Sequence, residues 1–152
     1  MISKADNGLA LSILLTKRDP HPPLTPKKIW KPELRKEISL IHAPADVIAG
    51  LHLWNDDIES CHAIAQATEK PNFNYWHAIL HRREGDFGNS KYWYRAVGDD
   101  HPVLLAMKAA YPNWDPIHFV DHCEKHENTD TLMAIQAQEM ERLLQFCRPS
   151  DS

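Results

Sequence analysis

The sequence holds ten histidines, and three pairs of them are spaced four residues apart: His77/His81, His118/His122 and His122/His126. On a helix such a pair lies one turn apart on one face. Two neutral imidazoles in that arrangement form half of a divalent-metal site. Glu84 follows His81 by three residues, so on a helix it adds a carboxylate to the same face, as a third ligand or a general base.

Three interpretations of His77 and His81 stay open from the residues alone: metal ligation, structural histidines held by hydrogen bonds, and metal-free acid–base catalysis. Phe73, Trp76 and Leu80 border the same helical face, so titratable groups interrupt a stripe that should face the core. Burying such groups costs free energy unless each is hydrogen-bonded or ligates something. The segment lacks the Glu after the first His that marks zinc metalloproteases.

A second polar segment, residues 55–62, ends in His62 beside an apolar stripe. Facing helices of a bundle deliver ligands to one shared site. We therefore expect His62 to complete the metal site begun by His77 and His81, with zinc as the favoured ion because imidazole suits it.

The acidic residues of the same segment are Asp56, Asp57 and Glu59. The favoured interpretation is a solvated helix face or a helix start. The alternative is that Asp57, or else Glu84, moves protons in a reaction.

A third segment carries His118, His122 and His126 among charged residues. Three histidines at this spacing could bind a divalent ion. Because the surroundings are charged and the predicted helix ends near Asn128, a solvated helix face is favoured.

Composition limits the classes of function. The chain has 152 residues, a mass of 17.5 kDa and a formal net charge of −4, which predicts one domain and argues against nucleic-acid binding and a polybasic membrane anchor. No apolar run approaches a membrane span and no secretory signal is recognised, so we expect a cytoplasmic protein. Five glycines leave no P-loop or dinucleotide-binding turn. Three cysteines without paired spacing indicate small buried hydrophobes rather than disulfides or a thiolate zinc site.

The elements that must position these residues are predicted to be helices. Residues 7–16 are an apolar stretch of ambiguous type, and five prolines between Asp19 and Pro32 predict an extended arm that packs over the domain or reaches a second subunit. We assign residues 1–31 to this N-terminal segment and residues 32–148 to one helical domain. Apolar periodicity, prolines and glycines predict helices over residues 33–41, 45–69, 73–84, 89–97, 102–111, 116–126 and from 129 onward. The prediction is an all-α irregular bundle of six to eight helices.

Residues 75–102, with the run YWHAILHRREGDFGNSKYWYR at their start, resemble the signature of a family of small bacterial and fungal proteins without assigned activity, and residues 55–66 are similar to its second block. The resemblance covers about a third of the chain and implies no function. It implies where a site would lie, because these residues match the pattern: Asp57, His62, Gln66, His77, His81, Arg82, Arg83, Glu84, Asp86, Asn89, Tyr92, Trp93, Arg95 and His101.

Together these observations predict a small enzyme that hydrolyses, or eliminates from, a compact polar or aromatic small molecule. His62, His77 and His81 would hold the divalent ion, Glu84 or Asp57 would move protons, and Arg82 or Arg95 would steady an anionic group. The residues expected to contact the substrate are Gln66, Asn89, Tyr92 and Trp93. Two alternatives stay open: a protein that binds a small molecule or metal without turnover, and a metal-free lyase or isomerase that uses a His/Glu pair. A homodimer is left open.

Overall fold

The computed structural model describes residues 18–126 and 128–149, together with Gly8 and Ser12, so most of the apolar stretch at residues 7–16 lies outside the described residues. Within the described residues the fold is helical, with eight helices and no strand, which confirms the predicted all-α bundle. The helices are α1 (Leu34–Ser39), α2 (Ala45–Trp54), α3 (Ile58–Ala65), α4 (Pro71–Glu84), α5 (Phe87–Val97), α6 (Pro102–Ala110), α7 (Pro116–Lys125) and α8 (Thr129–Cys147). In this part of the chain no helix is both long and apolar enough to cross a membrane.

Helix α4 is the centre of the bundle, because it packs against α2, α3 and α5. Its side chains from Asn74 to Arg83 are all buried. Helix α2 approaches closely at Gly50, where an added Cβ would lie 2.3 Å from the Trp76 ring, so a residue larger than glycine would displace the indole. Helix α8 closes the other side of the core against α2, α6 and α7.

The prediction of one helix from Ala45 to about Glu69 is wrong, because α2 ends at Trp54 and α3 begins at Ile58. Asp56, between them, has a φ of 61°, which lies in the left-handed region that helices exclude. Its carboxylate contacts Arg18 at 2.8 Å and Arg83 at 2.7 Å. These buried ion pairs stabilise the interruption between α2 and α3, which the periodicity of the apolar residues did not predict.

The other helix ends follow local signals. Gly85, with a φ of 87°, ends α4, as a left-handed glycine commonly does. Asp86 and Asp115 accept backbone N–H bonds at the starts of α5 and α7, which is the ordinary role of an N-cap aspartate. The predicted starts of α4 and α5 were two residues late, because α4 begins at Pro71, a favoured first helical residue, and the Asp86 cap begins α5.

The described part of the proline-rich arm packs on its own helical domain. Leu24 is only 5% exposed, and the carbonyl of Pro23 accepts hydrogen bonds from Arg83 and from Gln136. Further along, the Trp30 N–H donates to the Asn55 carbonyl at 2.9 Å. The described part of the arm therefore packs over its own domain, and a contact of the arm with a second subunit stays a prediction.

Candidate metal centre

The three histidines predicted to share a site are brought together. His77 and His81 lie one turn apart on α4 with stacked rings 4.7 Å apart. His62 comes from α3, and its ring meets theirs edge-on at centroid distances of 4.9 Å and 5.6 Å. One nitrogen from each ring lies within 4.8 Å of one from each of the others. The cluster is therefore a set of three potential ligands from two packed helices.

Glu84 contacts Nδ1 of His81 one turn further along the same helix. A carboxylate without a proton only accepts, so Nδ1 of His81 carries the hydrogen and Nε2 keeps its lone pair. Metal-ligating histidines commonly have such a carboxylate partner, which fixes the tautomer and the ring orientation. Glu84, Asp86 and His81 also form a second potential ligand group, in which both carboxylates are exposed.

His77 is the most deeply buried member of the cluster, with 4% of its surface exposed against 7% for His81. Burial, with smaller contributions from the neighbouring His81 and His62, lowers the pKa of His77 to about 4, so its ring is neutral at pH 7. Its Nδ1 is buried and has no hydrogen-bond partner. A buried polar atom of this kind costs free energy unless something satisfies it.

Trp93, predicted to contact substrate, instead covers His77. The two rings are stacked, with centroids 3.9 Å apart and planes inclined by 9°. Tyr92 meets the Trp93 ring edge-on and is 60% exposed. Helix α5 thus holds the buried imidazole in place, and Trp93 positions a candidate ligand.

An open cleft of about 710 Å³ reaches the cluster from solvent. Its volume falls within the range of roughly 300–1,000 Å³ that is typical of small-molecule sites. Helices α3 and α4 and the proline-rich arm provide its lining residues, which are Pro26, Lys27, Ile58, Glu59, His62, His81 and Glu84. The residues that sequence analysis missed here are Pro26 and Lys27, since nothing in a proline-rich segment indicates which helices it will cross.

Asp57 caps helix α3, where it accepts hydrogen bonds from the N–H and the hydroxyl of Ser60. Its buried carboxylate also lies 3.1 Å from the Arg35 guanidinium. These contacts agree with a helix start, the favoured interpretation of this residue. Glu59 is solvated, with 90% of its side chain exposed, which also agrees with the favoured interpretation. Asp56 is buried and is neither solvated nor the cap, so that interpretation was wrong for Asp56, because Arg18 and Arg83 pair with its carboxylate.

Arg82, expected to steady an anionic group, is a core residue and does not line the cleft. Its guanidinium lies 3.0 Å from the Glu139 carboxylate and donates to the Tyr94 hydroxyl at 2.6 Å. The hydroxyls of Tyr75 and Tyr94 both donate to Glu139, and burial together with this carboxylate raises the pKa of Tyr75. The arginine is turned away from the histidines because it lies on a different face of α4, about 100° from His81.

Arg95, Gln66 and Asn89 are exposed and do not line the cleft. Gln66 is the residue that ends α3, and the Asn89 side chain donates to Asp86. The structure does not bring these three residues to the histidine cluster.

The remaining candidates lie elsewhere. His118, His122 and His126 are exposed on α7 and at its end, in agreement with the favoured interpretation. The three cysteines are buried and unpaired by disulfides. His101 is at the start of α6, where its Nδ1 accepts from the Val103 N–H and its Nε2 contacts the Asn72 amide oxygen.

His101 belongs to a second cavity of about 540 Å³. Its lining is mainly apolar, with a few polar residues at the edge: Asp46, Lys70, Pro71, Asn72, Phe73, Val97, Asp100, His101, Pro102 and Phe146. Burial lowers the pKa of His101. This cavity contains none of the three clustered histidines.

Comparison of the chain with protein-family models, with curated proteins and with solved structures gives no match. The resemblance of residues 75–102 to a family of small bacterial and fungal proteins therefore stays a prediction.

Proposed function

We propose that the protein is a divalent-metal enzyme, with zinc as the favoured ion, that acts on a compact small molecule by hydrolysis or elimination. The observation that carries the proposal is the convergence of His62, His77 and His81 from two helices. Structural histidines would be expected to hydrogen-bond to each other or to neighbours, whereas Nδ1 of the buried His77 has no partner.

The distances fit one ion after a small adjustment. Zinc–nitrogen bonds of about 2.0–2.1 Å place tetrahedral ligands roughly 3.4 Å apart. The three candidate nitrogens lie within 4.8 Å of one another, so side-chain rotations that move them by about 1 Å would close the site. Glu84 on His81 supplies the outer partner that such sites commonly have.

Three protein ligands and an open side are typical of catalytic rather than structural zinc. His62 and His81 line the open cleft, whereas His77 is buried and does not line it. A divalent ion in this position would act as a Lewis acid and lower the pKa of a water molecule on the open side. The cleft would hold the substrate, and Glu84, at its edge, could accept or return a proton.

A metal-free acid–base mechanism is the second candidate, and the contact between His81 and Glu84 favours it. In such a pair the carboxylate stabilises the protonated imidazole, while Nε2 takes a proton from the substrate. His62 and His77 would then be secondary to catalysis. The two mechanisms differ in whether the protein carries a divalent ion at all.

Metal content tests the proposal directly. Protein purified without an affinity tag should carry close to one equivalent of a divalent ion by mass spectrometry of the eluted metals. His81→Ala should lose that ion while the helical circular dichroism is retained. His118→Ala is the matched control, because His118 is 75% exposed on α7, and it should keep the full metal content. Metal-free wild-type protein that takes up no zinc on dialysis would contradict the proposal.

Glu84→Gln separates a positioning carboxylate from a catalytic one. If Glu84 only orients His81, metal affinity should fall about 10–100-fold, and turnover should recover once excess zinc fills the site. If it moves protons, turnover at saturating zinc should still be lower by about 10²–10⁴-fold. Zinc binding with no turnover of any ester, amide or phosphoester substrate would favour a binding protein.

A further inference from the structure

We propose that the substrate carries a compact anionic group, a carboxylate or a phosphate, and that Lys27 of the arm binds it in the cleft that His62 and His81 also line. This inference rests on the proposed function of the same cleft and names the class of substrate. Lys27, which the sequence did not single out, would then have the anion-binding role that was predicted for Arg82 or Arg95.

Lys27 is held at the cleft because the arm is anchored on both sides of it. Before Lys27, the Pro23 carbonyl accepts from the Arg83 guanidinium at 3.0 Å and from the Gln136 amide at 3.1 Å. After it, the Trp30 N–H donates to the Asn55 carbonyl. The short segment between these anchors lies along the cleft that also contains His62 and His81.

The charges of the cleft leave Lys27 as the available cation. Glu84 is engaged with His81, and Glu59 lies 4.0 Å from the guanidinium of Arg35. Among the residues that the structure describes, Lys27 has neither an ion pair nor a hydrogen bond, and no other lysine or arginine lines this cleft. A lysine ammonium is a flexible point charge that suits phosphate and carboxylate alike.

The same cleft favours a small substrate with some apolar character. Pro26 and Ile58 contribute apolar wall, and a volume of about 710 Å³ admits a metabolite rather than a folded partner. An anionic group on Lys27 would orient the remainder of such a molecule toward His62 and His81. Orientation of this kind is a large source of rate enhancement in enzymes.

Anion binding to the cobalt(II)-loaded protein tests Lys27 without a known substrate. Cobalt replaces zinc and gives visible absorption bands that change when an anion enters the site. Inorganic phosphate and acetate are titrated separately at low ionic strength, since salt screens an exposed charge. Lys27→Ala should weaken binding of at least one of the two anions about tenfold, as expected for the loss of one charge-assisted hydrogen bond. An effect on phosphate alone or on acetate alone identifies the group.

Lys28→Ala is the control, because Lys28 is exposed like Lys27 but does not line the cleft, and its loss changes the net charge equally. Equal anion affinity in wild type and Lys27→Ala, or an equal loss of anion affinity in Lys28→Ala, overturns the inference.

If the protein binds no cobalt, the proposed metal enzyme is contradicted, whatever the role of Lys27. The same titrations are then followed by the NMR signals of His62 and His81: shifts that need Lys27 support an anion site without metal, and their absence overturns it.

Discussion

Helix α4 carries two pairs of polar residues in opposite situations. Arg82 and Arg83 are 1% and 0% exposed. Their Nε atoms have no partner, but every terminal guanidinium nitrogen has one: the carboxylates of Glu139 and Asp56, or oxygens of Tyr94, Gln136, Leu53 and Pro23. His77 and His81 lie one turn apart on another face of the same helix. Nδ1 of His77 has no partner, and the cluster opens into a cleft.

The difference separates groups that maintain the fold from groups that are available to a ligand. Buried charges remain charged only where opposite charges and hydrogen bonds surround them, and both arginines have these. The histidines can be neutral, and burial together with the nearby His81 and His62 disfavours the protonated form of His77 and so lowers its pKa. Nδ1 of His77 gains no hydrogen bond from its burial, and a bound ion would stabilise such an arrangement.

The largest expected effect is on the arginine side. Arg82→Met should lower the free energy of unfolding by about 3–5 kcal/mol, because it leaves the buried Glu139 carboxylate without its cation. The measurement is urea denaturation, with Arg95→Met as a matched exposed control that should stay within about 0.5 kcal/mol of wild type. Metal content per folded molecule should be unchanged in both variants. An Arg82→Met protein that is as stable as wild type but has lost its metal would mean that Arg82 serves the metal site and not the fold.

The next largest effect concerns the proline-rich arm, which contacts both regions: its Pro23 carbonyl accepts a hydrogen bond from Arg83, and its residues Pro26 and Lys27 line the cleft. Leu24→Ala removes a side chain that is 5% exposed and should lower the free energy of unfolding by about 2–3 kcal/mol. Anion binding to the cobalt-loaded protein should weaken as well, because the arm then holds Lys27 less firmly. Lys28→Ala should change neither quantity. An unaltered unfolding curve for Leu24→Ala would show that the arm contributes little to the fold.

The smallest effect is on the histidine side. His77→Phe in the metal-free protein keeps a ring against Trp93 and removes a buried nitrogen that lacks a partner. The free energy of unfolding should therefore be unchanged or higher by up to about 1 kcal/mol, while metal binding is lost. Thermal denaturation beside metal analysis measures both. A loss of stability above about 2 kcal/mol would mean that His77 is a structural residue.

Local signals in the sequence were sufficient for the helical class, for several helix ends and for one face of the site. Gly85 and Asp115 mark helix ends through backbone preferences that act within a few residues. The spacing of His77, His81 and Glu84 placed them on one face because helix geometry is the same in every protein. For this reason the amino-acid sequence by itself determined the all-α bundle and the carboxylate beside His81.

Long-range contacts decided the rest. Asp56 breaks the predicted long helix because Arg18 and Arg83 meet it from distant parts of the chain, and no local pattern reports such a pairing. Arg82 and His81 are adjacent in sequence, yet one is buried against Glu139 and the other opens onto the cleft. Lys27 reaches that cleft through the arm's anchors on α4 and α8. Each outcome depends on which surfaces pack together, and that is set by the burial of the whole chain rather than by the preferences of any one segment.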